Sequence, residues 1–539
     1  MVTEIELKYS LFEQKSASDK LATTKQISTT ITQLLCEQQL TFSQQEKYLS
    51  NYYFDTRELA LQKNKIALRT RGTQCVGKAM CFEQTIKTSG TVIAGLHQRP
   101  EYNIDIENNK PILALFPQTI WQESTDVDQL QHDLIELFST HFTRQTWLVS
   151  LDNAQVEIAF DSGEVACESY NHKPRIYEIE LELVSGDSQA LFVLTKLLFS
   201  QLALRPGQLT KAARGYALYH QSLTANVNAK SKVIDNGKTG KHIVVPVINL
   251  SKSHQLVDAF TYGIEFCLTH LQHGVDRYVA APSLDNLNNI STQLALLNQG
   301  FSLFNTLLTD NEIALCNELN YFIKIFDWVD NAHGIEALTS QVSVTQHETL
   351  VSETLTATLM QKRYLNESQI LALLHGERFN QLQLNLLTLL LKKNTLNPPK
   401  KINTLSLTEF AAQHLTDNNK ALTRELAQWH KEPRQSVNDY LIAYRLLTRA
   451  LLSTHWFSTL FAEPENDIMI KFTMPWFDIK QSIVELQSLA VLQQSLSSLP
   501  TPEKKLTQWL VNKSDNLTEA LEQYSAKALT MKPYWLDLP

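Results

Sequence analysis

Glu4, Glu6 and Lys8 stand at alternate positions of Glu4-Ile5-Glu6-Leu7-Lys8. On an extended chain they share one face, while Ile5, Leu7 and Tyr9 take the other. The same alternation returns along the first 220 residues. Arg69 aligns with Arg71, Arg99 with Glu101, and Glu157 with Asp161, while Glu178, Glu180 and Glu182 form a row of three carboxylates. A sheet face selected only for solubility tends to mix signs, whereas most of these rows group acid with acid or arginine with arginine. Like charges two residues apart repel unless something neutralises them. Grouped carboxylates suit a divalent cation, and paired arginines suit phosphate or carboxylate oxygens.

Strands of this kind need a scaffold that turns the charged faces toward one another. If they close into a barrel with the charged faces inward, the apolar faces point outward and need a covering of helices. Candidate covering helices lie around Ile27 to Gln39, Asp128 to Phe138 and Gln189 to Leu202. The lumen of such a barrel would set acids on one wall against bases on another, a fit for a small, highly charged ligand. Between residues 221 and 245 the composition becomes that of a linker, with Asn226, Asn228, Asp235-Asn236-Gly237 and Gly240. Beyond it, apolar residues recur at helical spacing over Asp285 to Leu308, Glu367 to Leu391 and Val437 to Leu452. We therefore expect an α+β chain: a β-barrel domain over 1–220, a linker over 221–245, and an all-α domain over 246–539. Pro398-Pro399 suggests that the α domain divides into two halves near 396–404.

Bulk properties narrow the function classes. The 539-residue chain is 43% hydrophobic and 19% charged with a net charge of -8, the profile of an ordinary globular protein of more than one domain. Mild acidity argues against a general nucleic-acid binder. No apolar run of about 18 residues and no leader-like start are present, so a cytoplasmic protein without a membrane partner is expected. The six cysteines are dispersed without a metal-binding spacing and read as reduced, structural thiols. His270 and His273, followed by Asp276 and Arg277, read as a packed or solvated helix face. Tyr52-Tyr53-Phe54 and Trp476-Phe477 read as core aromatics.

With the strand motifs assembled, the first 220 residues resemble the CYTH superfamily of triphosphate tunnel metalloenzymes, whose hallmark is an ExExK strand. The other family motifs follow in order: Tyr53-Phe54-Asp55-Thr56, Arg69-x-Arg71, Thr85-Ile86-Lys87, Arg99-Pro100-Glu101, Thr143-Arg144 with Trp147, Glu157 through Asp161 to Gly163, Glu178-x-Glu180, and Lys211-Ala212-Ala213-Arg214-Gly215-Tyr216. The resemblance implies a closed antiparallel barrel of about eight strands. It also implies metal ligation by Glu4, Glu6, Asp161, Glu178 and Glu180, with Mg2+ or Mn2+ as the cofactor. Phosphate oxygens would be gripped by Lys8, Arg69, Arg71, Lys87, Arg144 and Lys211, and the catalytic group would be Glu4, Glu6 and Lys8. Glu182 continues the acidic row, while Glu101, Glu157, Arg99 and Arg214 would be supporting partners.

The implied activity is hydrolysis of inorganic triphosphate to diphosphate and phosphate. The same fold also serves nucleoside, thiamine and RNA 5′-triphosphatases and adenylate cyclases. A reading of another class is a non-catalytic polyphosphate-binding scaffold. The α domain resembles a divergent CHAD domain, a histidine-containing helical module associated with polyphosphate binding. Arg378-Phe379-Asn380-Gln381-Leu382-Gln383-Leu384 and Lys532-Pro533-Tyr534-Trp535-Leu536 are similar to segments of fused bacterial inorganic triphosphatases. Against polyphosphate as its partner stands its charge: from residue 241 onward there are 24 Lys and Arg and 29 Asp and Glu.

Overall fold

The computed structural model describes residues 2–12, 20–75, 77, 79–93, 95–168, 170–228, 247–344, 364–392, 405–429, 437–462, 467–497 and 504–536. Its contacts separate two units, Met1–Gly240 with Ala372–Leu384, and Lys241–Leu371 with Asn385–Pro539.

In the first unit, alternation dictates a sheet with one charged and one apolar face. The strands are β1 (Val2–Leu11), β2 (Thr41–Asp55), β3 (Ala67–Cys75), β4 (Cys81–Lys87), β5 (Thr91–Ile93), β6 (Leu96–Ile106), β7 (Ile135–Leu151), β8 (Ala154–Ala166), β9 (Arg175–Ser185) and β10 (Leu204–Pro206). They run in the order β10-β1-β9-β8-β7-β2-β3-β4-β6-β5, and a further β1–β6 pairing closes eight of them into a ring. All the pairings are antiparallel. The closed antiparallel barrel expected from the motifs is therefore present, with β5 and β10 as short additions. Closure also leaves the ring without an unpaired edge.

The outward faces are covered by helices. Trp147 is fully buried on the outer face of β7, and its indole N–H donates to Thr32 Oγ1 of α1 (Lys20–Glu37) at 3.0 Å. Tyr9 meets Phe199 of α4 (Gln189–Phe199) edge-on at 5.3 Å. Leu68 and Ile86 pack with Leu61, from α2 (Ala60–Lys63), and with Leu113, Phe116 and Trp121. At one end, α5 (Lys211–Asn228) sets Tyr216 and Leu218 against Leu49, Tyr53, Phe138 and Phe142. Gly215 permits that approach, because a Cβ there would sit 1.9 Å from the Phe138 ring.

Two expected elements differ. Helical spacing was expected from Asp128 to Phe138, but α3 stops at Val127–Asp133 and β7 begins at Ile135. Pairing of Ile135 with Asp55 on the neighbouring strand β2 outweighs the local periodicity, because residues 135–138 extend the ladder that closes the ring. The run Glu367 to Leu391 forms two helices, Glu367–Leu374 and Glu377–Leu391. The Asn380 amide nitrogen donates to the carbonyls of Leu374 and Gly376 at this break, at 3.1 and 2.9 Å. Of the expected linker, α5 occupies the stretch up to Asn228, and 229–246 lie outside the described residues. The expected division near 396–404 lies outside them as well.

The second unit is helical, as its spacing indicated, beginning with α6 (Leu256–Ala280), α7 (Leu284–Leu303), α8 (Asp310–Ile325) and α9 (Val329–Val344). Trp456 anchors its core: a Cβ on Gly263 or Gly300 would come within 2.0 and 2.2 Å of the indole, and the indole N–H donates to the Leu296 carbonyl. His270 bonds the Phe266 carbonyl at 2.8 Å and lies against the Phe266 ring, so it serves its own helix. Trp476 is buried, whereas Phe477 is 44% exposed. The six cysteines are free thiols. Among the described residues no helix is long and apolar enough to cross a membrane.

Candidate active site

Register decides which charged rows meet. Glu6 lies opposite Glu182, and Lys8 opposite Glu180, across β1 and β9. Glu182 in turn lies opposite Glu157 across β8, and Glu178 opposite Asp161. Arg144 of β7 is opposite Asp161, Arg71 is opposite Glu83, and Lys87 is opposite Glu101. Directly opposed residues share a face. The rows read from the sequence therefore converge on one lumen, a cavity of about 730 Å3. Glu4, Glu6, Lys8, Arg69, Arg71, Lys87, Arg144, Glu180 and Lys211 line it, as do Glu101, Glu157, Arg99 and Glu182.

Asp161 and Glu178 lie behind that lining, fully buried and 2% exposed. With Glu180 they form a group whose carboxylate oxygens lie within 4.8 Å of one another. Here cations of the chain satisfy them. Lys211 Nζ, from the first residue of α5, is 2.6 Å from Asp161, 2.5 Å from Glu178 and 2.9 Å from Glu180. Arg144 grips Asp161 with two bonds of 2.7 and 2.6 Å and reaches Glu180 at 2.5 Å. Lys8 is 2.7 Å from Glu180, and Arg214 pairs with Glu178. Burial opposes every charge in this network. Even so, Lys211, Lys8 and Arg144 hold the Glu180 carboxyl well below its ordinary range, and Glu180 and Glu6 raise Lys8 above its own.

The opposite wall is less balanced. Lys87 pairs with Glu4 at 2.5 Å and with Glu101 at 3.5 Å, and Arg69 reaches Glu101 at 3.4 Å. Arg71 donates to Asn51 Oδ1 at 2.8 Å and lies 3.5 Å from Glu83. Burial, with Arg69 and Arg144 close by, lowers the Arg71 guanidinium to about 10. Glu182 shows the converse: burial and then the charges of Glu4 and Glu6 push its carboxyl up to about 7. Glu182 thus stands with Glu4, Glu6 and Glu157 in a carboxylate group whose repulsion Lys87 offsets only in part. Hard oxygen donors in that state suit a hard divalent cation.

A prediction follows for the metal-free protein. A carboxyl raised from 4.5 to about 7 on folding binds its proton more tightly in the native state. Its contribution favours folding below pH 4.5 and is lost as pH rises toward 7. Glu182→Gln should raise the melting temperature at pH 8 while leaving it nearly unchanged at pH 4.5. Equal shifts at both pH values would show that Glu182 is not repelled by its neighbours.

Sequence reasoning passed over three residues on the charged face, of which Glu83 lines the cavity. Glu83 lies between Arg69 and Arg71, at 3.9 and 3.5 Å, and the alternation Cys81, Glu83, Thr85, Lys87 already marked its face. Asn51 orients Arg71, and alternation with Leu49 and Tyr53 places it, although a neutral side chain carried no charge signal. His97, opposite Glu6, is 3% exposed with neither ring nitrogen hydrogen-bonded, and burial lowers it to about 4. One histidine in a strand gave no pattern to read.

Comparison with known proteins agrees with this geometry. Residues 3–216 match the CYTH domain family. An inorganic triphosphatase of Haemophilus influenzae is 34% identical over 204 residues, which cover 37% of this chain and 53% of that protein. The chain thus spans about half the length of that relative. Among solved structures, an adenylyl cyclase of Hippeastrum described as having a dominant triphosphatase activity is 16% identical, covers 40% of this chain and 95% of its own, and has a TM-score of 0.27. A CHAD domain from the plant Ricinus communis is 13% identical, covers 56% of this chain and 98% of its own, and has a TM-score of 0.36. The family match falls on the same stretch as the charged barrel: residues 3–216 are similar to CYTH domains.

Proposed function

We propose that the barrel lumen hydrolyses inorganic triphosphate to diphosphate and phosphate with Mg2+ or Mn2+. The observation that carries this reading is the division of one cavity into two walls. Glu4, Glu6, Glu157 and Glu182 stand on adjoining strands, facing a set that includes Arg69, Arg71, Lys87 and Arg144. A binder of polyanions alone has no use for so many carboxylates in its lumen.

Glu4 and Glu6 would hold the cation, with Glu182 and Glu157 beside them. Asp161, Glu178 and Glu180 are a second acidic set that Lys211, Arg144, Arg214 and Lys8 compensate. When bound, the cation supplies Lewis-acid polarisation of phosphate oxygens and lowers the pKa of a coordinated water. The chain's own groups do the rest. Arg69, Arg71 and Lys87 exchange carboxylate partners for phosphate oxygens, and Arg71 gains most because its charge is the least compensated. Lys8, Arg144 and Lys211 border both sets and stabilise the charge that develops on the transferring and leaving groups. These donors are held by the barrel, so little reorganisation accompanies the reaction.

Phosphate release should be measured with the full chain on tripolyphosphate, ATP and thiamine triphosphate, each with Mg2+, Mn2+ or EDTA. The proposal expects tripolyphosphate to be turned over fastest and EDTA to abolish release. Faster turnover of ATP or thiamine triphosphate would transfer the assignment to those substrates. Absence of metal-dependent release from all three would end the enzymatic reading.

A further inference from the structure

Asp55 closes β2 with a carboxylate that is fully buried and occupied on both oxygens. Oδ1 accepts from the amides of Thr56 at 2.7 Å and Leu61 at 2.8 Å. Oδ2 accepts from the amide of Gln62 at 2.9 Å and from the Tyr216 hydroxyl at 3.2 Å. The residue before α2, Leu59, is in the left-handed region with φ 58° and offers no side-chain cap, so Asp55 supplies the acceptor that the amides of this turn need. Lys65, also left-handed at φ 57°, then passes the chain into β3 with Arg69 and Arg71. One carboxylate therefore ties the entry of the arginine strand to α5.

Other polar ties in the first two turns of α5 run from Lys211 and Arg214 to Asp161, Glu178 and Glu180, and from Arg214 to the Arg175 carbonyl. Under the proposed function, Lys211 also stabilises charge on the phosphate groups, which weakens its own ion pairs and leaves Arg214 and Tyr216 to hold the helix. Tyr216 lies five residues along, about 7.5 Å of helical rise away. It is set by its edge-on contact with Phe138 at 5.2 Å and by the close seat of Gly215 on the same ring.

We propose that the Tyr216–Asp55 hydrogen bond is a latch that holds α5 in register and so positions Lys211 for the phosphate chain. Tyr216 is a positioning residue that acts through Lys211. The reading rests on the triphosphatase assignment for its functional consequence and on geometry alone for the latch itself.

Tyr216→Phe keeps the ring and removes only the donor, which avoids the folding risk of replacing Asp55. With Mg2+, KM for tripolyphosphate should rise roughly tenfold, about the effect of one hydrogen bond to a charged group, while kcat falls much less. Lysine acetylation of the substrate-free full chain, mapped by mass spectrometry, gives a second measurement. Lys211 should become more reactive in the variant while the equally buried Lys8 stays protected. Unchanged Lys211 reactivity, or equal gains at Lys8 and Lys211, would overturn the latch. Wild-type protein that turns over no tripolyphosphate would overturn the functional assignment and its KM consequence, leaving the acetylation pattern to decide the latch.

Discussion

Glu6→Gln is expected to lower metal-dependent phosphate release from tripolyphosphate by about 100-fold or more, above the range seen when only the outer partners of a metal ligand are lost. Its melting temperature should hold or rise. Glu6 is 8% exposed, lies directly opposite Glu182, and has Lys8 at 3.8 Å as its ion-pair partner. Removing its charge relieves repulsion on Glu182 and takes little from Lys8, which keeps Glu180 at 2.7 Å. A structural carboxylate would behave in the opposite way, with stability falling and residual activity tracking the folded fraction. Melting curves with and without Mg2+ separate the two cases. Wild type should gain stability from the metal, and Glu6→Gln should gain much less. An equal gain in both proteins would remove Glu6 from the cation site.

Arg144→Ala should have the largest effect on stability. Its guanidinium makes two bonds to the fully buried Asp161 and one to Glu180. Deleting it leaves Asp161 with Lys211, and Glu180 with Lys211 and Lys8, as the remaining counter-charges. Losing one partner of a buried pair costs about 3–5 kcal/mol. That should appear as an earlier first transition in thermal and urea unfolding of the full chain.

The pH dependence gives an independent check. Burial works against ionisation of Asp161 and Glu180, yet Arg144 and Lys211 outweigh it and lower both carboxyls. A carboxyl lowered on folding contributes stability that is complete above its unfolded value, near 4, and is lost as pH falls through the folded value. Wild type should therefore lose stability steeply below pH 4, and Arg144→Ala should show a shallower acid limb. A loss below about 1 kcal/mol with an unchanged acid limb would mean that water already screens this pair.

How much of the site could be read in advance differs from residue to residue. Glu4, Glu6 and Lys8 were legible because a strand has a period of two, so three charges at alternate positions must share a face. Arg69, Arg71, Glu178 and Glu180 were legible for the same reason. Trp147 was carried only by a family motif, and its contact with Thr32 of α1 depends on a residue 115 positions away. Asp55 was quoted within a motif without a role, because its partners are backbone amides and one tyrosine hydroxyl from a distant helix. At Asp128 to Phe138 the local pattern favoured a helix throughout. Pairing with β2 took the second half into β7, since a closed ring outweighs a propensity difference of a few tenths of a kcal/mol per residue.

What the amino-acid order determined by itself was the separation of faces: which residues are charged together, which are apolar together, and that a β part is followed by a helical one. Side-chain direction along a strand or helix is a local property, set by backbone geometry within a few residues. What the tertiary structure alone decided was which charge meets which. Asp161 and Glu178 look equivalent to Glu4 and Glu6 in sequence, yet the first pair is buried under Arg144, Lys211 and Arg214, while the second, with Lys87 and Lys8 as partners, lines the cavity beside Glu157 and Glu182. That difference arises from strand register and the seat of α5, and both are fixed by contacts between segments far apart in the chain.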